Sequence, residues 1–182
     1  MDELNEILET ASSRIELDYF QLKIDGSGPI YRERVYCYEL YHQMRVLWPE
    51  ATPYFLNGEV DKRAHPILAK RDADGPKPDL LVHQPGDMRG NYTVVEVKSA
   101  EARRAGLRKD LSTLKLFRET VEYKRAIYLV YGSEAERLVA TIADDAANVP
   151  ELPEIELWIH ATCGEPAHCV ATLGEERDGT AQ

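Results

Sequence analysis

The sequence predicts an α/β domain with a mixed central sheet flanked by helices. Three observations lead there. Segments whose apolar residues recur at helical spacing alternate with short runs of β-branched and aromatic residues. The run RAIYLVYG (125–132) is apolar without alternation, as expected of a strand covered on both faces. A chain of 182 residues is also long enough for one domain with a substantial core.

The elements are expected in the order helix, three strands, helix, strand, helix, strand. Leu4, Ile7, Leu8, Ala11 and Ile15 follow helical spacing and predict a surface helix. KIDGSGP (23–29) is rich in breakers and reads as a turn or short linker. Tyr31–Trp48 predicts a helix ended by Pro49, apolar on most sides and so well buried. Residues 52–63 read as a strand with an early proline, and 64–77 as a basic loop. PDLLVHQPG and NYTVVEVKSA are two strands joined around Gly86–Asn91. Asp110 is the expected N-cap of a helix carrying Leu111, Leu114 and Phe117. Ser133 and Glu136 have the spacing of a capping box ahead of another helix. Residues 155–162 form the last expected strand, and the end of the chain is expected to fray. By domain, 1–30 is an N-terminal helix and linker, 31–165 the main domain and 166–182 a C-terminal tail.

Residues 1–30 hold 7 acidic and 2 basic side chains, and residues 133–182 hold 11 and 2. The intervening segment holds 14 acidic and 18 basic ones, so a chain of net charge −10 has a basic middle. Local potential rather than the total steers a polyanion. The same charges also suit solvated faces without a partner. No run of about 18 apolar residues suggests a membrane span. The acidic N-terminus lacks the features of a secretory signal. Three cysteines without disulfide spacing point to a reducing, cytoplasmic location.

In TVVEVKSA, Val95 and Val97 point to one face of the strand, Glu96 and Lys98 to the other. On a central strand such a pair is costly unless it has partners. Asp79, at the head of the neighbouring strand, would bring a second carboxylate close. Two close carboxylates repel, and a divalent cation offsets the repulsion. Oxygen ligands suit Mg²⁺ or Mn²⁺.

Pro78-Asp79 followed by Glu96-Val97-Lys98 on the next strand is similar to the signature of the PD-(D/E)xK phosphodiesterase superfamily. The order of elements from about Tyr31 to Thr162 resembles that superfamily's restriction-endonuclease-like core. The resemblance implies a metal-dependent nuclease cutting DNA, with a restriction or phage-defence system as its setting. It implies Asp79, Glu96 and the Val97 carbonyl as metal ligands, and Lys98 as the group that orients or activates water. Many members add a glutamate from the first core helix. Glu33 shares a stripe with Cys37, Leu40, Met44 and Leu47, whereas Glu39 shares one with Val35, His42 and Val46. Glu33 is preferred because its stripe should face the sheet, although a first-turn acid also suits the helix dipole. By fold-level analogy a homodimer, or a partner subunit of a larger defence complex, would cut both strands. A catalytically silent module of the same fold, binding nucleic acid or serving as a scaffold, is the rival.

Arg103, Arg104, Arg108 and Lys109 are expected at the mouth of the site as phosphate contacts, with Lys70, Arg71 and Lys77 on the same rim. A solvated loop and helix start is the plainer reading of these charges. Glu59 and Asp61 are candidates for a supporting or second-metal role, against a charged edge strand that only resists pairing. His83 is expected to pack or hydrogen-bond. His160, Cys163, His168 and Cys169 lack standard zinc spacing.

Overall fold

The computed structural model describes residues 3–60, 69 and 75–175. Six strands form one open mixed sheet in sequence order: β1 Phe55–Gly58, β2 Leu80–His83, β3 Asn91–Ser99, β4 Arg125–Tyr131, β5 Ile155–His160 and β6 His168–Leu173. β1, β2 and β3 are antiparallel neighbours, β3, β4 and β5 run parallel, and β6 is antiparallel to β5. Parallel neighbours need long crossovers. Helices Arg104–Glu119 and Ala135–Ala147 supply them; with α1 Leu4–Ser13, α2 Leu17–Phe20 and α3 Glu33–Val46 ahead of them, they are α4 and α5.

The sheet separates two cores. On one face Leu107, Leu111, Leu114 and Phe117 of α4 and Ile142 of α5 pack with Val94, Tyr128 and Leu157. On the other, Leu4, Leu8, Tyr36, Leu40 and Met44 of α1 and α3 pack with Val95, Val97, Leu129 and Trp158. Both faces of β3 are therefore covered, and its alternation sends Val94, Glu96 and Lys98 toward α4. The β2–β3 connection needs a glycine at 90, where a Cβ would fall 2.4 Å from the Gln84 Cβ.

Several expectations change. α3 buries one face only: Tyr38 and Val46 are exposed, because its outer side has no layer above it. The first helix is the expected surface helix: Leu4, Ile7, Leu8 and Ala11 are buried in the same core as α3 while Glu3, Asn5 and Glu6 face outward. α4 starts at Arg104, six residues before Asp110, which is a mid-helix residue and no N-cap. The Ser133–Glu136 capping box does not form, since Glu134 occupies the N-cap position and makes no side-chain cap bond. Ser133 is instead engaged by Tyr31, whose hydroxyl accepts from the Ser133 N–H at 3.0 Å. The expected C-terminal tail, 166–182, contributes β6 to the sheet edge. Among the described residues no helix is long and apolar enough to cross a membrane.

Candidate active site

Strand register brings the acidic pair together. Leu80 of β2 is paired with Val95 of β3, so one step further places Asp79 opposite Glu96, on the same face. The two carboxyl groups share a hydrogen bond. Asp79 Oδ2 also accepts from the Val97 N–H at 2.7 Å. Val97 thus meets Asp79 through its N–H, a contact that does not engage the Val97 carbonyl expected as a metal ligand.

Glu33, the first residue of α3, reaches the end of β3. Its Oε2 lies 3.2 Å from Lys98 Nζ, and its Oε1 accepts from the Ser99 N–H at 3.3 Å. An aromatic cluster fixes this end of the helix. One turn on, Tyr36 stacks on Tyr131 at 3.8 Å between ring centres, and its hydroxyl meets His160 Nδ1 at 2.8 Å. Burial pulls His160 down to about 4, although backbone contacts oppose this, so its ring is neutral at pH 7. Glu39 takes no part in the site and accepts from Gln43 Nε2 at 2.7 Å.

Asp110 was not among the expected site residues. Its Oδ2 is 2.9 Å from Lys98 Nζ and accepts from the Tyr128 hydroxyl at 3.2 Å. It lies on the buried stripe of α4 together with Leu107, Leu111 and Leu114, so a carboxylate on an apolar helical stripe was the available signal. Asp79, Glu96, Lys98, Glu33 and Asp110 line one open cleft of about 890 Å³, with Lys77 and Lys109 also on its walls. Among the described residues no three acidic, histidine or cysteine side chains already converge as a metal cage.

The charges in the cleft are strongly coupled. Burial raises Asp79 to about 6, against the lowering effect of the Val97 N–H. Burial, then the Asp79 charge, pushes Glu96 well above the usual carboxylate range. Burial also raises Asp110 despite its lysine partner. For Lys98, burial disfavours the ammonium, but Asp110 and Glu33 together outweigh it and hold the group above its ordinary value. Lys98 is therefore a fixed cation at neutral pH and unsuited to act as a base.

A pH prediction follows from the raised carboxyls. An unfolded aspartate titrates at about 3.9, so between about pH 4 and pH 6 the folded chain binds more protons than the unfolded one. The stability contributed by Asp79 is full below about pH 4 and is lost as pH rises through about 6. Thermal melts without divalent cations are expected to fall over this window. Asp79→Asn should flatten the slope; an unchanged slope in that variant would contradict the assignment.

The expected phosphate-binding cluster divides. Arg104 and Arg108 reach α5, where Arg104 Nε lies 3.0 Å and Arg108 Nε 2.9 Å from the Asp145 carboxylate. Hydrogen bonding from Arg104 leads the effects that hold Asp145 below the usual range. One carboxylate thus offsets part of their two charges within the fold. Arg103 is the exposed N-cap residue of α4 and does not line the cleft. Lys70 and Arg71 lie outside the described residues, as does Asp61. Replacing Arg104 and Arg108 together by glutamine is expected to lower the melting temperature by several degrees, since the buried Asp145 loses both partners. The salt dependence of nucleic-acid binding should change little; a flattened salt slope at unchanged stability would reverse this reading.

Glu59 turns to Arg34, whose Nε donates to it at 3.2 Å, and Asp79 is its nearest link to the cleft, through the Glu59 N–H bond to the Asp79 carbonyl at 3.0 Å. His83 Nε2 meets Asn57 Oδ1 at 2.9 Å. Cys163 donates to the Ile15 carbonyl and Cys169 to that of Ala171, so these thiols do not converge with His160 on a zinc site. Compared with protein-family models, curated proteins and solved structures, the chain matches none.

Proposed function

We propose that this cleft is the active centre of a divalent-cation-dependent nuclease that hydrolyses DNA phosphodiester bonds. One observation carries the reading: a hydrogen-bonded pair of carboxyls, half-buried Asp79 and buried Glu96, shares a cleft with an ammonium, Lys98, held between carboxylates. The similarity of Pro78-Asp79 and Glu96-Val97-Lys98 to the PD-(D/E)xK signature supports it, as does their placement on adjacent strands of a mixed sheet. A restriction-endonuclease-like core is part of the same proposal.

The donor set fits a hard divalent cation. Asp79 and Glu96 offer carboxylate oxygens whose shared proton a cation would replace, and Glu33 stands at the same cleft. Mg²⁺ ordinarily takes one or two carboxylates plus waters and substrate oxygens, so a closed cage is not required. Bound there, Mg²⁺ or Mn²⁺ would supply Lewis acidity toward the attacking water and the phosphate oxygens. The chain's own residues do the rest. Lys98 offers an N–H to a phosphate oxygen as negative charge builds on phosphorus. Lys77 and Lys109, on the cleft walls, attract the flanking phosphates.

The silent-module alternative is favoured by one feature, the lack of a preformed three-ligand cage among the described residues. Incubating the purified protein with Mg²⁺ or Mn²⁺ and a panel of single-stranded, duplex and branched DNA and RNA, beside Asp79→Ala, separates the two. Divalent-dependent cleavage lost in Asp79→Ala supports the nuclease. Binding without cleavage of any substrate moves the assignment to the silent module.

A further inference from the structure

Asp110 stands where local preference gives it little reason to be. Aspartate is a poor helix former in mid-helix, and burying a carboxylate costs free energy unless it is partnered. Leu107, Leu111, Leu114 and Phe117 already give α4 an apolar stripe against the sheet. Asp110 adds only polar contacts on that face, to Lys98 Nζ at 2.9 Å and from the Tyr128 hydroxyl at 3.2 Å.

These contacts make a specific geometry around the lysine. Asp110 approaches the ammonium from α4, on one side of the sheet, and Glu33 from α3, on the other. Tyr128 lies beside Glu96 in the β3–β4 register and holds the Asp110 carboxylate in turn. An ammonium has three N–H groups. Among the described residues Glu33 accepts one of them and Asp110 forms an ion pair with the ammonium, which leaves an N–H for an oxygen in the cleft that Lys98 lines. A flexible four-carbon stem with a freely turning head is thereby reduced to one orientation.

We propose that Asp110 is a positioning residue that, with Tyr128 behind it and Glu33 opposite, aims the Lys98 ammonium at the scissile phosphate. The proposal rests on the nuclease reading for its target, although the restraint on Lys98 does not depend on it. Asp110 touches neither substrate nor cation and acts through the lysine. A supporting contact of this kind carries about 10–100-fold in activity, in line with the sensitivity of rates to small misplacements.

The test is a double-substitution cycle with a second readout. Asp110→Asn keeps the shape and hydrogen-bonding capacity and removes the charge. It is expected to lower kcat by about 10–100-fold, with KM changed less than about twofold. Asp110→Asn combined with Lys98→Gln should cut no more slowly than Lys98→Gln alone, because both act through one group. NMR of the Lys98 ammonium gives a readout free of cleavage: slowly exchanging N–H signals in the wild type and their loss in Asp110→Asn. A double variant whose losses multiply would overturn the proposal. So would Asp110→Asn with wild-type kcat and only a lower melting temperature, or wild-type ammonium signals in Asp110→Asn. A wild-type protein that cuts nothing yet shows the restrained ammonium would remove the nuclease reading and leave the positioning contact standing.

Discussion

Lys98→Ala is expected to reduce phosphodiester cleavage by about 10²–10³-fold, the usual effect of removing one preorganised donor from a developing anion. The side chain lies on the covered face of β3 with its ammonium 2.9 Å from Asp110 and 3.2 Å from Glu33. No proton transfer is required of it, because its two carboxylate partners keep it charged. Under the proposed function its contribution is a fixed positive charge where negative charge builds up. Substrate binding should fall far less, since Lys77 and Lys109 remain on the cleft walls. Fold stability requires a control, because the truncation leaves Asp110 buried without its cation. Lys98→Met, which fills the same space, should lose cleavage to a similar degree. A Lys98→Ala protein with the wild-type rate would remove the residue from catalysis.

Asp79→Asn is expected to abolish divalent-dependent cleavage while making the cation-free protein more stable at pH 8. The two effects share one cause. Asp79 shares a hydrogen bond with buried Glu96, and above about pH 6 it carries its charge in a half-buried position where desolvation disfavours that charge. Asparagine retains an oxygen to accept the Val97 N–H, so the backbone contact survives. Removing that poorly solvated charge should contribute about 0.5–2 kcal/mol, the usual size of a single stabilising substitution. Chemical denaturation at pH 8 without divalent cations reads this directly. Mn²⁺ should raise the melting temperature of the wild type, as a ligand of the folded state does, and leave the variant unmoved. A variant less stable than wild type would show that the pair is not under strain.

The central strands and their charged residues were legible because they obey local rules. Alternation in Val94–Lys98 fixes which side chains face together, and the step from Pro78-Asp79 to Glu96 follows from antiparallel pairing. What was not legible depends on contacts distant in sequence. Asp110 has the ordinary form of an N-cap, and only a helix begun at Arg104 puts it on the buried stripe. Arg104 and Arg108 look like phosphate ligands until Asp145, 41 and 37 residues away, is brought beside them. The Ser133 capping box yields to Tyr31, 102 residues earlier. β6 was missed because an edge strand with mostly exposed side chains shows no hydrophobic period.

Calorimetric titration of Mn²⁺ into the wild-type protein and into Glu96→Gln, at pH 7.5 in two buffers of different ionisation enthalpy, tests the proposed cation site most directly. Saturable binding to the wild type is predicted, with proton release visible as a buffer-dependent heat, because the cation replaces the proton shared by Asp79 and Glu96. Glu96→Gln should show neither the binding nor the proton release. A wild-type protein with no saturable binding, or a Glu96→Gln variant that binds as the wild type does, would contradict the assignment of this carboxyl pair.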